Sequence, residues 1–228
     1  MKKNKLRKNI AIIPARKNSK RIKNKNIKLF NGKPLIYWTI KIVLKTKLFD
    51  KVFVSTDSKK IKKISESAGA QVLYPRPKRL SGDFARIIDV MHFEIKKLEK
   101  KIKFQKVCCI FPTAILLHSD SLKKGLRKLT ANTNYVFSAI ADEKSVLKNF
   151  FFNKGKLCLI QPAFKDYFTQ ALPVTYKDAG QFYWGEKKSW LNKKSIFSNN
   201  SKVILMEGKR IIDLDTMTDW KKILRIKK

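Results

Sequence analysis

Thirteen residues, 16–28, read RKNSKRIKNKNIK and carry seven cations directly behind a short apolar run. Like charges crowded this closely repel unless an anion neutralises them. Arg16 offers a planar fork that suits a phosphate bidentately, while Lys20 and Lys25 are mobile point charges. Ser19 and nearby backbone N–H groups could complete an anion-binding nest. A solvated basic loop is the competing reading of the same spacing. No GxxxxGK[ST] motif occurs, so a P-loop nucleotide triphosphatase is not supported. The second constellation is Asp213-Leu214-Asp215, noticeable in a chain with 17 acids against 53 bases. On a strand the two carboxylates would share one face, with Cα atoms about 6.6 Å apart. They repel unless a divalent cation sits between them. Capping of the last helix by Asp215 or Thr216 is the alternative. No Ser-His-Asp pattern is present. His92, within a long amphipathic stretch, and His118, just before a helix, read as structural.

Positioning these residues requires strands that end where the loops begin. Strand-like runs lie at 10–14, 52–55, 71–73, 106–111, 135–140, 157–160, 181–184, 202–206 and 210–214. Between them lie helical patterns. Pro34 opens one over 35–47, and Ser58 caps one that Gly69 ends. Residues 83–101 form the clearest amphipathic stretch, with Phe84, Ile87, Ile88, Met91, Ile95 and Leu98 on one stripe. Another helix starts at Ser119. Thr216-x-x-Asp219 reads as a capping box for a C-terminal helix. Strand–helix alternation on this scale implies a mostly parallel α/β sheet with helices on both faces. Ligands of such sheets bind at the carboxyl ends of the strands, which points to residues 16–28, 55–58, 112–119 and 213–216.

Composition bounds the rest. With 228 residues, 43% of them hydrophobic and 11% aromatic, the chain is a single domain, 1–228, and not a disordered one. Cys108, Cys109 and Cys158 cannot all pair with one another, and none has metal-ligand spacing, so buried thiols in a reducing, cytoplasmic compartment are expected. The apolar run behind the basic N-terminus is too short for a signal peptide, and no stretch is long enough to span a membrane. The formal charge of +36 is mainly lysine, 44 Lys against nine Arg, spread over the whole chain. Solvated helix faces explain that spread better than a nucleic-acid footprint. Weak, nonspecific binding to nucleic acid at low salt follows either way. A noncatalytic basic RNA-binding protein is the alternative of a different class, although no aromatic RNA-binding signature occurs.

The block PARKNSKRIKNKNI resembles the opening of the CMP-sialate synthetase (acylneuraminate cytidylyltransferase) family, usually PARGGSKRIPxKNI. The resemblance continues, in order, through NGKPLI, VSTDS, the RP before LSGDFA, CCIFPTA, YKDAGQFYWG and DLDTMTDW. It covers nearly the whole chain and is strongest to the pseudaminic acid cytidylyltransferase branch. It implies a single-domain, three-layer nucleotidyltransferase-like α/β fold with a mostly parallel mixed sheet flanked by helices, and a homodimer. It implies Mg²⁺-dependent transfer of CMP from CTP to the anomeric hydroxyl of a nonulosonic acid, with release of pyrophosphate. Pseudaminic acid is the preferred acceptor, with legionaminic or sialic acid as alternatives. Residue by residue, Arg16, Ser19, Lys20, Lys25 and Asn26 would hold the CTP phosphates, Arg16 and Lys25 serving catalysis. Asp213 and Asp215 would bind Mg²⁺, and Arg76 would lie near the base. Lys148 would meet the sugar carboxylate, while Gln181, Tyr183 and Phe197 would line the sugar pocket.

The sequence departs from the family pattern at several points. Lys17-Asn18 replaces Gly-Gly, and Lys23-Asn24 stands where a Pro is usual. Arg86-Ile87 follows Asp83-Phe84-Ala85 where Ser or Thr is common. PTAP ends in Ile115, and Phe168-Thr169 stands where an Arg often precedes the segment around Gln170.

Overall fold

The computed structural model describes residues 8–142, 146–206 and 214–225. Along the chain, β1 (Asn9–Pro14) leads into the basic loop. A small flap of β2 (Leu29–Phe30) and β3 (Lys33–Pro34) follows, then helix α1 (Leu35–Lys45). Next come β4 (Lys51–Ser55), α2 (Lys59–Ser67), β5 (Gln71–Leu73), α3 (Ile87–Leu98), β6 (Lys106–Ile110), α4 (Ser119–Lys128) and β7 (Tyr135–Asp142). A hairpin of β8 (Phe150–Asn153) and β9 (Lys156–Leu159) precedes β10 (Thr175–Glu186), α5 (Lys187–Leu191), β11 (Lys202–Leu205) and α6 (Met217–Leu224).

Seven strands form one sheet in the order β11-β7-β10-β6-β1-β4-β5. β1 runs parallel to β4 and β6, β4 to β5, and β7 to β11; β10 alone is antiparallel to its two neighbours. The expected mostly parallel mixed sheet with helices on both faces is therefore the observed one. Its central strands β1, β4 and β6 are apolar because both faces are covered. Ala11, Ile13, Val52, Val54 and Cys108 pack to one side with Ile36, Ile40, Ile61 and Leu122 of α1, α2 and α4. Ile10, Ile12, Phe53 and Cys109 pack to the other with Met91, Ile95 and Leu98 of α3 and Trp190 of α5. Adjacent Cys108 and Cys109 thus lie in opposite cores, as strand alternation requires, and all three cysteines are free thiols.

A third, smaller core fixes the functional end of the sheet. Ile22 of the basic loop packs with Phe30, Leu35, Ile115, Leu214, Trp220 and Ile223. The departure at Ile115 is accommodated here as a buried residue. Trp38 Nε1 donates to Phe30 O at 2.6 Å, tying the flap to α1. Two caps behave as the spacing predicts. Ser58 Oγ accepts from Ile61 N at 3.3 Å, and Thr216 and Asp219 form a reciprocal capping box at the start of α6. No helix of the described residues is long and apolar enough to cross a membrane.

Three expectations need correction. The helix predicted over 83–101 begins only at Ile87, and Phe84, placed on its apolar stripe, is 99% exposed. The reason is tertiary: Asp83 is drawn to Arg16 and Lys20 of the distant basic loop, which holds residues 82–86 as a loop. The strand predicted at 181–184 extends over Thr175–Glu186, with a register shift between Asp178 and Tyr183 where Gly180 takes φ +60°. The β8–β9 hairpin reaches further than the expected strand 157–160. The strand expected at 210–214 lies, apart from Leu214, outside the described residues.

Candidate active site

The carboxyl ends of β1 and β6 and the loop after β5 open onto a cavity of about 480 Å³. Its wall includes Pro14, Arg16, Ser19, Lys20, Arg21, Lys25 and Asn26 from the basic loop. Arg76, Gly82, Asp83, Ala85 and Ile87 line the opposite side, and Phe111, Pro112 and Thr113 stand beyond β6. Six predicted residues, Arg16, Ser19, Lys20, Lys25, Asn26 and Arg76, are therefore brought together from positions up to 60 residues apart.

Three ties shape the loop into a cradle. Ala15 N donates to Ser55 O at 2.8 Å, continuing the parallel ladder past the end of β1. Lys17 N donates to Asp57 Oδ1 at 2.7 Å, so backbone at the Gly-Gly departure is already engaged by a neighbouring strand end. Neither Lys17 nor Asn18 has positive φ, so side chains are tolerated where the family pattern has glycine. Asn26 is buried, and its Nδ2 donates to Arg16 O at 3.0 Å, pinning the two halves of the loop together. Its amide nitrogen thus braces the cradle, and Asn26 also stands on the cavity wall. Asn24, at φ +56°, turns the chain into the 3₁₀ turn of Lys25–Ile27. Asn tolerates that left-handed conformation better than most residues.

The electrostatics are those of a site made for polyanions. Asp83 bridges Arg16 Nη1 at 2.7 Å and Lys20 Nζ at 2.6 Å. Those contacts, Lys20 first and then Arg16, hold its carboxyl below the ordinary carboxylate value. Asp215 takes Arg21 Nη1 at 2.6 Å and Lys25 Nζ at 3.4 Å, and Lys25 also donates to Leu214 O at 2.6 Å. Asp83 and Asp215 are thus both held by cations that line the cavity. Arg76 is only 5% exposed; burial lowers its pKa, and the carboxylates of Asp57 and Glu94 oppose that shift.

Asp213 lies outside the described residues. Asp215 stands where a hard divalent ion would be useful, beside the cationic cradle, and its carboxylate oxygens are the donor type that Mg²⁺ takes. Among the described residues no three His, Cys, Asp or Glu side chains form a metal-binding group. A protein cage is not required, because Mg²⁺ usually keeps waters and substrate phosphates as ligands alongside one or two carboxylates. The donor chemistry of Asp215 therefore fits such an ion. The capping alternative belongs to Thr216, whose side chain accepts from Asp219 N.

The four predicted sugar contacts are not on the wall of this cavity. Gln181 and Tyr183 are buried in β10, one layer behind it. Phe111 N donates to Gln181 O at 3.0 Å, and the Phe111 and Tyr183 rings meet edge to face at 5.2 Å. Gln181 Nε2 donates to Ala179 O, and the Tyr183 hydroxyl donates to Asp178 Oδ2. Phe197 is exposed and packs edge to face on Phe137, which in turn meets Tyr183. Lys148 stands in a 3₁₀ turn ahead of the β8–β9 hairpin. Of the departures, Arg86 turns outward onto Asp89 at 2.8 Å, leaving Ala85 and Ile87 on the cavity wall. Phe168 is largely exposed.

Sequence reasoning missed Asp83 and Arg21 as partners in the cradle. LSGDFA was a visible block, but Asp83 read as the start of a helix; Arg21 was one cation among seven. Their pairing depends on loops 60 or more residues apart, which local pattern does not encode.

Comparison with known proteins agrees with this geometry. The cytidylyltransferase family model matches residues 10–227. A pseudaminic acid cytidylyltransferase of Campylobacter jejuni is 35% identical over 215 residues, covering 93% of each chain. A CMP-N,N'-diacetyllegionaminic acid synthase of Legionella pneumophila is 30% identical over 218 residues, covering 92% of each. A solved CMP:2-keto-3-deoxy-manno-octonic acid synthetase complexed with CTP superposes with a TM-score of 0.69 at 14% identity, covering 95% of this chain and 97% of that one. The last likeness speaks for the fold, and the first three for descent: the chain is a member of the cytidylyltransferase family.

Proposed function

We propose that this cytidylyltransferase moves CMP from CTP to the anomeric hydroxyl of a nonulosonic acid, pseudaminic acid being the preferred acceptor. The observation that carries the reading is the cavity at the ends of β1 and β6, where Arg16, Lys20, Arg21 and Lys25 converge. The choice of acceptor is supported by the 35% identity to the Campylobacter jejuni pseudaminic acid cytidylyltransferase.

In this reading the acceptor hydroxyl oxygen attacks the α-phosphorus in line. The new O–P bond forms as the bond from the α-phosphorus to the bridging oxygen breaks, the hydroxyl proton passes to solvent water, and pyrophosphate departs. Such transfers need positioning and charge stabilisation more than covalent chemistry. Arg16 and Lys20 would exchange Asp83 for phosphate oxygens. Lys25, held between Leu214 O and Asp215, is prepositioned to meet charge as it develops. Arg76 would face the base, and Asn26 would keep the cradle closed on itself. A magnesium ion held by Asp215 and Asp213 would supply charge neutralisation to the leaving group. On the acceptor side, Tyr183 and Gln181 would back the pocket wall through Phe111, with Phe197 and Lys148 at its rim.

The reading includes a homodimer built on the β8–β9 arm. Phe150, Phe151 and Phe152 are consecutive on β8, so they point to both faces, yet each is more than half exposed, as is Leu157. A two-stranded hairpin is marginal alone and needs packing on its apolar faces. A lysine-rich surface repels a second copy elsewhere, which favours this apolar arm as the place of contact.

The direct test follows pyrophosphate release from CTP with Mg²⁺ and a panel of acids. Pseudaminic acid should give the highest kcat/KM. A clear preference for legionaminic or sialic acid would reassign the acceptor and leave the reaction class intact. Turnover with 2-keto-3-deoxy-manno-octonic acid alone would reject the nonulosonic acid reading.

A further inference from the structure

Asp83 meets two cations with its two oxygens. Oδ1 stands 2.7 Å from Arg16 Nη1, and Oδ2 stands 2.6 Å from Lys20 Nζ. All three residues line the cavity. A phosphate group would place two of its oxygens on the same two cations in the same way, since both anions act as acceptors. Two anions on one pair of cations repel each other, so a phosphate and Asp83 compete for it. The segment that carries Asp83 is fixed at its ends. Ser81 Oγ donates to Pro77 O at 3.1 Å and accepts from Arg76 Nε at 3.3 Å, while Asp89 N donates to Arg86 O at 3.0 Å at the start of α3. Between those ends the segment is loosely held. Phe84 is 99% exposed, a Cβ at Gly82 would meet nothing within 4 Å, and Ala85 N reaches Gly82 O at 3.3 Å. The two ion pairs are open to water, with side-chain exposures of 34% for Arg16, 32% for Asp83 and 83% for Lys20. Breaking them therefore loses little free energy.

We propose that Asp83 is a specificity-determining residue: an internal counter-anion that holds the phosphate position of the cradle, so that a ligand enters by exchange and must offer more negative charge than one carboxylate. This rests on the reading of the cavity as the nucleotide site. A singly charged ion gains no more at Arg16 and Lys20 than the departing carboxylate gives up, and an uncharged nucleoside gains nothing there. A di- or triphosphate brings more charge than Asp83 and wins the pair. Once pyrophosphate dissociates, Asp83 takes the two cations back, which lowers the affinity for that product. A positioning acid that held Arg16 and Lys20 in place for phosphate would make the same contacts. The two roles differ in sign: removing the carboxylate strengthens phosphate binding if Asp83 competes and weakens it if Asp83 positions.

Calorimetry with pyrophosphate and with CTP, at one ionic strength and with no acceptor sugar present, reads that sign. Asp83→Asn should tighten binding of both by about three- to tenfold, the scale of two partly exposed ion pairs. Asp83→Ala, which leaves no side-chain acceptor, should gain at least as much. Asp89→Asn removes the same charge away from the cavity wall, where Asp89 pairs with Arg86 and Lys193, and should leave both affinities within about twofold. In a Lys20→Gln background the gain from Asp83→Asn should shrink, because one of the two contested pairs is gone. Weaker or unchanged binding in both Asp83 variants would overturn the proposal. So would an equal gain in Asp89→Asn, or a gain undiminished beside Lys20→Gln. The nucleotide reading is tested separately: if the Arg16→Gln, Lys20→Gln double variant binds CTP and pyrophosphate as the parent does, the cavity is not the phosphate site and both readings fall.

Discussion

Replacement of Lys25 and of Lys23 by Met separates a specific contact from bulk charge. Both are cations two residues apart in one loop. Lys25 lines the cavity with its side chain 18% exposed, and Nζ is held at 2.6 Å from Leu214 O and 3.4 Å from Asp215 Oδ1. Lys23 is exposed and not on the cavity wall. A unit charge 3–4 Å from a partner is worth about 4–5 kcal/mol at an effective dielectric of about 20. Part of that is already spent on Asp215, so a net transition-state loss of about 2.7–4 kcal/mol is expected, or roughly 10²–10³ in kcat/KM. The same change removes the donor to Leu214 O and should cost about 1–2 kcal/mol of stability. Lys23→Met should stay within about threefold of the parent, since an exposed charge contributes little. Steady-state kinetics at one ionic strength, with circular dichroism to verify folding, give the comparison. Equal losses at the two positions would refute the reasoning and reduce the loop to a diffuse positive field.

Asp215→Ala should abolish most Mg²⁺-dependent turnover while α6 stays capped by Thr216 and Asp219; unchanged Mg²⁺ dependence, read by titrating the metal, would remove Asp215 from the metal site. Lys substitution of Phe150 and Phe152 together should convert the proposed dimer to monomer in light scattering, with the melting temperature nearly unchanged; a parent protein already monomeric would sink the arm as an interface. Gly185→Ala should be strongly destabilising, because a Cβ there would lie 2.6 Å from Trp190 Nε1 and 2.8 Å from the Tyr135 ring. Both rings are buried, so overpacking of about 1–3 kcal/mol is expected. At this chain length that is a fall of roughly 2–12 °C in thermal melting, and a neutral result would show that the two rings can move apart.

Sequence alone settled whatever depends on near neighbours. The alternation of Ile10 to Ile13 between two cores, the opposite facing of Cys108 and Cys109, and the caps at Ser58 and Thr216 all follow from periodicity and local hydrogen bonding. So does the position of the basic loop at a strand end, because a buried parallel strand must stop before its polar loop begins. Tertiary structure decided which charges meet. That Asp83 bridges Arg16 and Lys20, that Asp215 takes Arg21 and Lys25, and that Ser55 of β4 meets Glu94 of α3 depend on strand order. The sheet sets β4 and β6 on either side of β1 and brings their carboxyl ends together. Electrostatic attraction acts through space over a few ångströms, whereas sequence pattern records only neighbours along the chain. The late start of α3 has the same origin: the apolar stripe favoured a helix through Phe84, and two cations from a distant loop held Asp83 out of it.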